Sequence, residues 1–73
     1  MKFVFDKDDI EQLIDDEYDD EIITKEEKEK CMNDLKLNDY SVYTRVEGEF
    51  LVVEVEFDFA KQSLSEYVKI IYG

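Results

Sequence analysis

The chain has no histidine, no tryptophan, a single cysteine, two glycines and no long apolar run. Each absence removes a class of function. Without His there is no imidazole to act as general acid or base, and with only Gly48 and Gly73 there is no glycine-rich loop to cradle a phosphate. Cys31 has no second cysteine to pair with and no His to activate it, so it reads as a small, partly buried side chain. The lack of a leader or membrane helix sets the expectation of a cytoplasmic protein that avoids membranes. Paired carboxylates can in principle perform glycosidase-type chemistry, but 73 residues leave little room for a deep cleft. The expectation is a protein that is not an enzyme and carries no cofactor.

Positive charge is also scarce. Nine Lys plus Arg stand against 21 Asp plus Glu, a net charge of −12. So acidic a chain repels nucleic acid, and its expected partner is a basic protein. Apolar residues make up 44% of the chain, with five Phe and five Tyr, which is too hydrophobic for a disordered acidic tail. One acidic domain spanning residues 1–73 is expected, close to the smallest size that a hydrophobic core alone stabilises.

The apolar spacing predicts α+β elements in the order β-α-α-β-β-α. Met1 to Phe5 alternates as a short N-terminal strand. Ile10, Leu13, Ile14 and Tyr18 fall on one helical stripe, predicting an amphipathic helix over residues 7–18. Thr24 followed by Glu27 is a capping-box pattern opening a second helix over Lys25 to Lys36, with a thin apolar stripe of Cys31, Met32 and Leu35. Residues 40–59 read as an antiparallel hairpin turning at Glu47 and Gly48. That turn sets Thr44 opposite Leu51, Val42 opposite Val53 and Tyr40 opposite Val55 on an apolar face continued by Phe57 and Phe59. Glu54, Glu56 and Asp58 then point outward. Leu64, Tyr67, Val68 and Ile71 share a side at helical spacing and predict a C-terminal helix, although Val68 to Tyr72 is β-prone.

The charge is concentrated. Between Asp6 and Glu21 stand ten acids and one base, Lys7, so sixteen residues hold −9 of the −12. Acids near the start of the first helix suit its dipole, but Asp15, Asp16, Glu17, Asp19, Asp20 and Glu21 crowd its end, where the dipole opposes them. A costly local feature without structural gain points to function. At about 1.5 Å per residue, ten charges over sixteen residues give roughly one per 2.4 Å, against about one per 1.7 Å in duplex DNA. The strip is therefore expected to mimic a nucleic-acid backbone and to occupy the Lys/Arg-lined groove of a nucleic-acid-binding enzyme as a stoichiometric inhibitor. Its carboxylates are Asp8, Asp9, Glu11, Asp15, Asp16, Glu17, Asp19, Asp20 and Glu21. Asp39, Glu54, Glu56 and Asp58 form a candidate second row, and Tyr18, Tyr43 and Phe50 are candidate rim anchors. Tyr43, Phe50 and Val52, expected on the outer face, equally suit a dimer surface.

Two other readings fit the same residues. The strip can be a solvated face that serves solubility alone. Alternatively, Asp15, Glu17, Asp19, Glu21 and Glu26 follow the alternating-acid spacing of a degenerate EF-hand calcium loop over residues 15–26, with Asp20 where such a loop needs Gly. In size and composition the chain resembles the small acidic inhibitors of phages and mobile elements, such as DNA mimics, anti-restriction and anti-CRISPR proteins, and the acidic immunity proteins of nuclease toxins. That likeness is one of composition, and no residue role is carried over from it.

Overall fold

The computed structural model describes residues 5–70, so the expected strand over Met1 to Phe5 lies outside the described residues except for Phe5, which is in no regular element. Two helices, α1 (Lys7–Asp19) and α2 (Lys25–Leu37), are followed by three strands, β1 (Tyr40–Glu47), β2 (Phe50–Phe57) and β3 (Gln62–Lys69). The strands form an antiparallel sheet in the order β1-β2-β3, with β2 central. The fold is α+β, with the two helices covering part of one sheet face.

Each helix begins where its side chains can satisfy the first backbone donors. Asp6 caps α1, accepting from the Asp9 N–H at 3.0 Å while its own N–H donates to the Asp9 carboxylate at 3.1 Å. Thr24 and Glu27 make the same reciprocal pair at the start of α2. Both helices end in a left-handed residue, Glu21 after α1 (φ 61°) and Asn38 after α2 (φ 61°). The Glu21 and Ile22 N–H groups donate to the Tyr18 and Glu17 carbonyls, the bonding of a Schellman motif.

The hairpin turns one residue later than the sequence suggests. Gly48 and Glu49 form the turn, and Glu47 faces Phe50. Gly48 has φ 62° and Glu49 does not have a positive φ, which places the glycine at the first central position, as in a type II′ turn. Moving the turn by one residue moves each partner by two, so Val46 faces Leu51, Thr44 faces Val53, Val42 faces Val55 and Tyr40 faces Phe57. The residues sharing each face are unchanged because strand side chains alternate with period two.

The C-terminal segment departs from the expected helix. Residues Gln62–Lys69 pair with β2 along its whole length, Leu64 opposite Val55 and Val68 opposite Leu51 on the inner face. Central β2 is buried on both faces at Leu51, Val52 and Val53, so its second edge needs a ladder partner that a helix cannot supply. This pairing outweighs the helical spacing of Leu64, Tyr67 and Val68. Phe59 also departs from expectation. It lies in the β2–β3 turn, 72% exposed, and does not extend the inner face.

The core joins Ile10, Leu13 and Ile14 of α1, Ile23, Cys31 and Leu35 of α2 and its approach, Leu51, Val53, Val55 and Phe57 of β2, and Leu64 and Ile70. The helices pack on each other, α1 on β3 and α2 on β2. They leave β1 exposed along seven of its eight residues. Asp34 of α2 is the one buried charged residue among those described. Its Oδ2 accepts from the Phe59 and Ala60 N–H groups, both at 2.9 Å, fastening the β2–β3 turn to the helix, while Oδ1 has no partner.

Candidate functional site

The acidic strip is a ridge along α1 and the turn that follows it. Ile10, Leu13 and Ile14 turn one helical stripe into the core, which carries the intervening acids outward. Asp8, Asp9, Glu11, Asp16, Asp19, Asp20 and Glu21 are exposed, and Asp15 and Glu17 are half-buried. Asp6 and Asp9 are engaged in the cap. Asp16 accepts from the Gln12 amide at 2.9 Å. Among the described residues the ridge makes one ion pair, between Asp15 and Lys28 of α2 at 3.0 Å, and that hydrogen bond raises the Lys28 pKa. No basic residue lies in the last turn of α1 to offset the dipole.

Glu17 follows Leu13 by four residues and Ile14 by three, so it leans toward the core side of the helix. Partial desolvation, and then repulsion from Asp20, Asp16 and Glu66, raises its pKa. The last of these residues extends the ridge. Glu66 lies on β3 against α1 and acts on Glu17 from a distant part of the chain. Only the strand conformation of β3 places it there, and the sequence held no signal for that.

Tyr18 is half-buried, and Lys28 Nζ lies 4.6 Å from its ring centroid, so one of its ring faces is already occupied. Tyr43 and Phe50 are exposed, 54% and 43%, on the sheet face turned away from the helices, joined there by Tyr67 at 60%. Val52, expected to be exposed on that face, is fully buried between its flanking partners Arg45 and Tyr67.

The expected second row is separated from the ridge. Glu54 and Glu56 point from β2 to the helix-free face, opposite to the layer that carries α1. Glu54 is also engaged, accepting from Ser63 Oγ at 2.9 Å and lying 3.4 Å from the Arg45 guanidinium, which contacts Glu47 at 2.9 Å. Asp58 and Asp39 are neighbours through the bond from the Asp58 N–H to the Asp39 carbonyl at 3.0 Å. Glu54, Glu56 and Asp58 line a shallow groove with Lys61, Gln62 and Ser63. A partner meeting the α1 ridge flat therefore does not meet these acids at the same time.

The calcium loop expected over residues 15–26 is not formed. Asp15, Glu17 and Asp19 lie within α1, where residues two apart point to different sides, and Glu26 belongs to α2. No cluster of three potential metal ligands exists among the described residues. Cys31 is buried, and desolvation, with repulsion from Asp34 and Glu27, pushes its thiol up to about 11. It remains a thiol at neutral pH and packs as part of the core. No described helix is long and apolar enough to cross a membrane. Comparison with family models, with curated proteins and with solved structures finds no match for the chain.

Proposed function

We propose that this chain is a non-catalytic acidic binding protein of the cytoplasm. It sets the α1 ridge into the Lys/Arg-lined groove of a nucleic-acid-binding enzyme and excludes the enzyme's substrate. Inhibitors of the anti-CRISPR or anti-restriction kind and nuclease immunity proteins work within this class of chemistry. The observation that carries the reading is the pairing of the ridge: of ten carboxylates, only Asp15 has a cation of its own chain among the described residues. Exposed carboxylates at this density meet guanidinium and ammonium groups as phosphates do, by charge-assisted hydrogen bonds and steered encounter. Tyr18 serves this surface as part of its packed base, whereas Tyr43 and Phe50 belong to another face.

The test is a pull-down from the native host followed by titration of the captured basic protein against salt. Changing Glu11→Gln, Asp16→Asn, Asp19→Asn and Asp20→Asn together spares the cap and the Lys28 pair. This variant is expected to weaken binding and flatten the dependence of log K on log salt. Unchanged affinity and slope would assign the ridge to solubility alone.

A further inference from the structure

The two outer strands of the sheet are guarded very differently. β3 has α1 packed on it, an acid at Glu66 on its inner face, and Lys61 and Lys69 near its ends. Inward charges, lysines and covering helices are the devices that stop a sheet edge from pairing with another chain. Among the described residues β1 has none of them. Its eight residues, Tyr40–Glu47, include no Lys and no Pro, run in unbroken register with β2, and are exposed from Ser41 onward. Val46 is 63% exposed and Val42 37%.

The hairpin also determines which backbone groups face outward. The turn's own bond joins Glu47 to Phe50, and hydrogen-bonded pairs then alternate along an antiparallel ladder. Arg45, Tyr43 and Ser41 therefore spend their backbone groups on β2. Val42, Thr44 and Val46 point theirs at the open edge.

We propose that β1 pairs antiparallel with β1 of a second copy, Thr44 lying on the two-fold axis, so that two three-stranded sheets join into one of six. In this register Val42 faces the partner's Val46, Thr44 faces the partner's Thr44, and about six backbone hydrogen bonds form. These valines and threonines share the inner face. On the outer face Arg45 meets the partner's Tyr43, a cation beside an aromatic ring, and Glu47 meets the partner's Ser41, a carboxylate beside a hydroxyl.

The neighbouring registers are worse. Sliding by two residues one way sets Arg45 against the partner's Arg45, and the other way sets Asp39 against the partner's Glu47. A slide by one residue places the apolar face opposite the polar one and misaligns the outward donors. In the proposed register the first like-charge pair, Asp39 with the partner's Glu49, falls beyond the ladder in the turn. This surface is distinct from the α1 ridge. Two chains of charge −12 repel, so pairing tightens as salt rises. Binding of a basic partner has the opposite salt dependence, which keeps the two proposals separable.

The experiment is sedimentation equilibrium of the full chain across protein and salt concentration, with amide exchange at Val42, Thr44 and Val46. The expected result is a mass rising from 8.8 kDa toward twice that value, favoured by salt, with those three amides protected only when the mass doubles. Thr44→Pro removes an outward N–H without touching the β1–β2 ladder, and is expected to weaken pairing about tenfold or more at unchanged circular dichroism. Should that variant fail to fold, Val46→Lys at an exposed position makes the same test. The proposal is overturned by a chain that stays monomeric to about 1 mM with freely exchanging amides. Protection in the monomer would also overturn it, because the edge would then be covered within one chain. So would a dimer indifferent to both substitutions, which would place the contact on the face of Tyr43, Phe50 and Tyr67.

Discussion

Replacing Asp34 by Ala removes the fastening between α2 and the β2–β3 turn. Two backbone N–H groups, of Phe59 and Ala60, donate to Oδ2 at 2.9 Å. Hydrogen bonds to a charged acceptor contribute about 1.5–3 kcal/mol each, so the pair contributes roughly 3–6 kcal/mol. Against this, the substitution relieves the buried, partnerless Oδ1, whose desolvation costs about 1–3 kcal/mol. Taking the middle of each range, the net loss expected is about 2.5 kcal/mol. A domain of this size has only about 4–11 kcal/mol in total, at roughly 0.05–0.15 kcal/mol per residue. With a urea m-value of about 1 kcal/mol/M, the midpoint of unfolding should fall by about 2.5 M. Asp34→Asn keeps a neutral acceptor for both donors and should lose less, about 1–2 kcal/mol. Urea titration followed by circular dichroism measures all three proteins, and amide exchange at Phe59 and Ala60 reports the local release. A midpoint for Asp34→Ala within about 0.5 M of the parent would refute the reasoning, because the turn would then be held by its own geometry.

Two further outcomes concern the end of the ridge. Glu21 occupies a left-handed C-terminal position that suits glycine, so Glu21→Gly should stabilise the fold by about 1 kcal/mol, read as a raised urea midpoint. A destabilised variant would show that the side chain makes a contact worth more than the strain. Glu17 has a folded-state pKa above its unfolded value, so its charged form opposes folding, and stability from this group is gained as pH falls through the raised pKa. Glu17→Gln should therefore raise the melting temperature at pH 7 and leave it nearly unchanged at pH 3, where both side chains are neutral. An equal effect at both pH values would mean that packing, not charge, governs the site.

Much of the local structure was legible in the residues. The stripe of Ile10, Leu13, Ile14 and Tyr18 is continuous over about two turns, and Thr24 with Glu27 satisfies the first donors of α2 from within four residues, so both helices carry their own instructions. The concentration of acids in α1 is likewise visible without a structure, since the buried stripe forces the intervening residues outward. The hairpin was legible to its faces but not to its turn, because the position of a single glycine allows two adjacent turns that preserve the alternation. The surroundings of the ridge were legible in part: Lys28 reaches Asp15 across two helices, and nothing local announces that pair.

By itself the sequence determined the helices, the faces of the hairpin and the position of the charge, because periodicity and capping act over a few neighbouring residues. Tertiary structure decided the rest. Leu64 to Lys69 became a strand because β2, buried on both faces, required a second ladder partner, and that pairing carried Glu66 to the acidic ridge. It also put Glu54 and Glu56 on the opposite face from α1, and among the described residues it left β1 as the unguarded edge. Each of these outcomes depends on contacts between segments far apart in the chain, where the pairing of backbone donors and acceptors outweighs local preference.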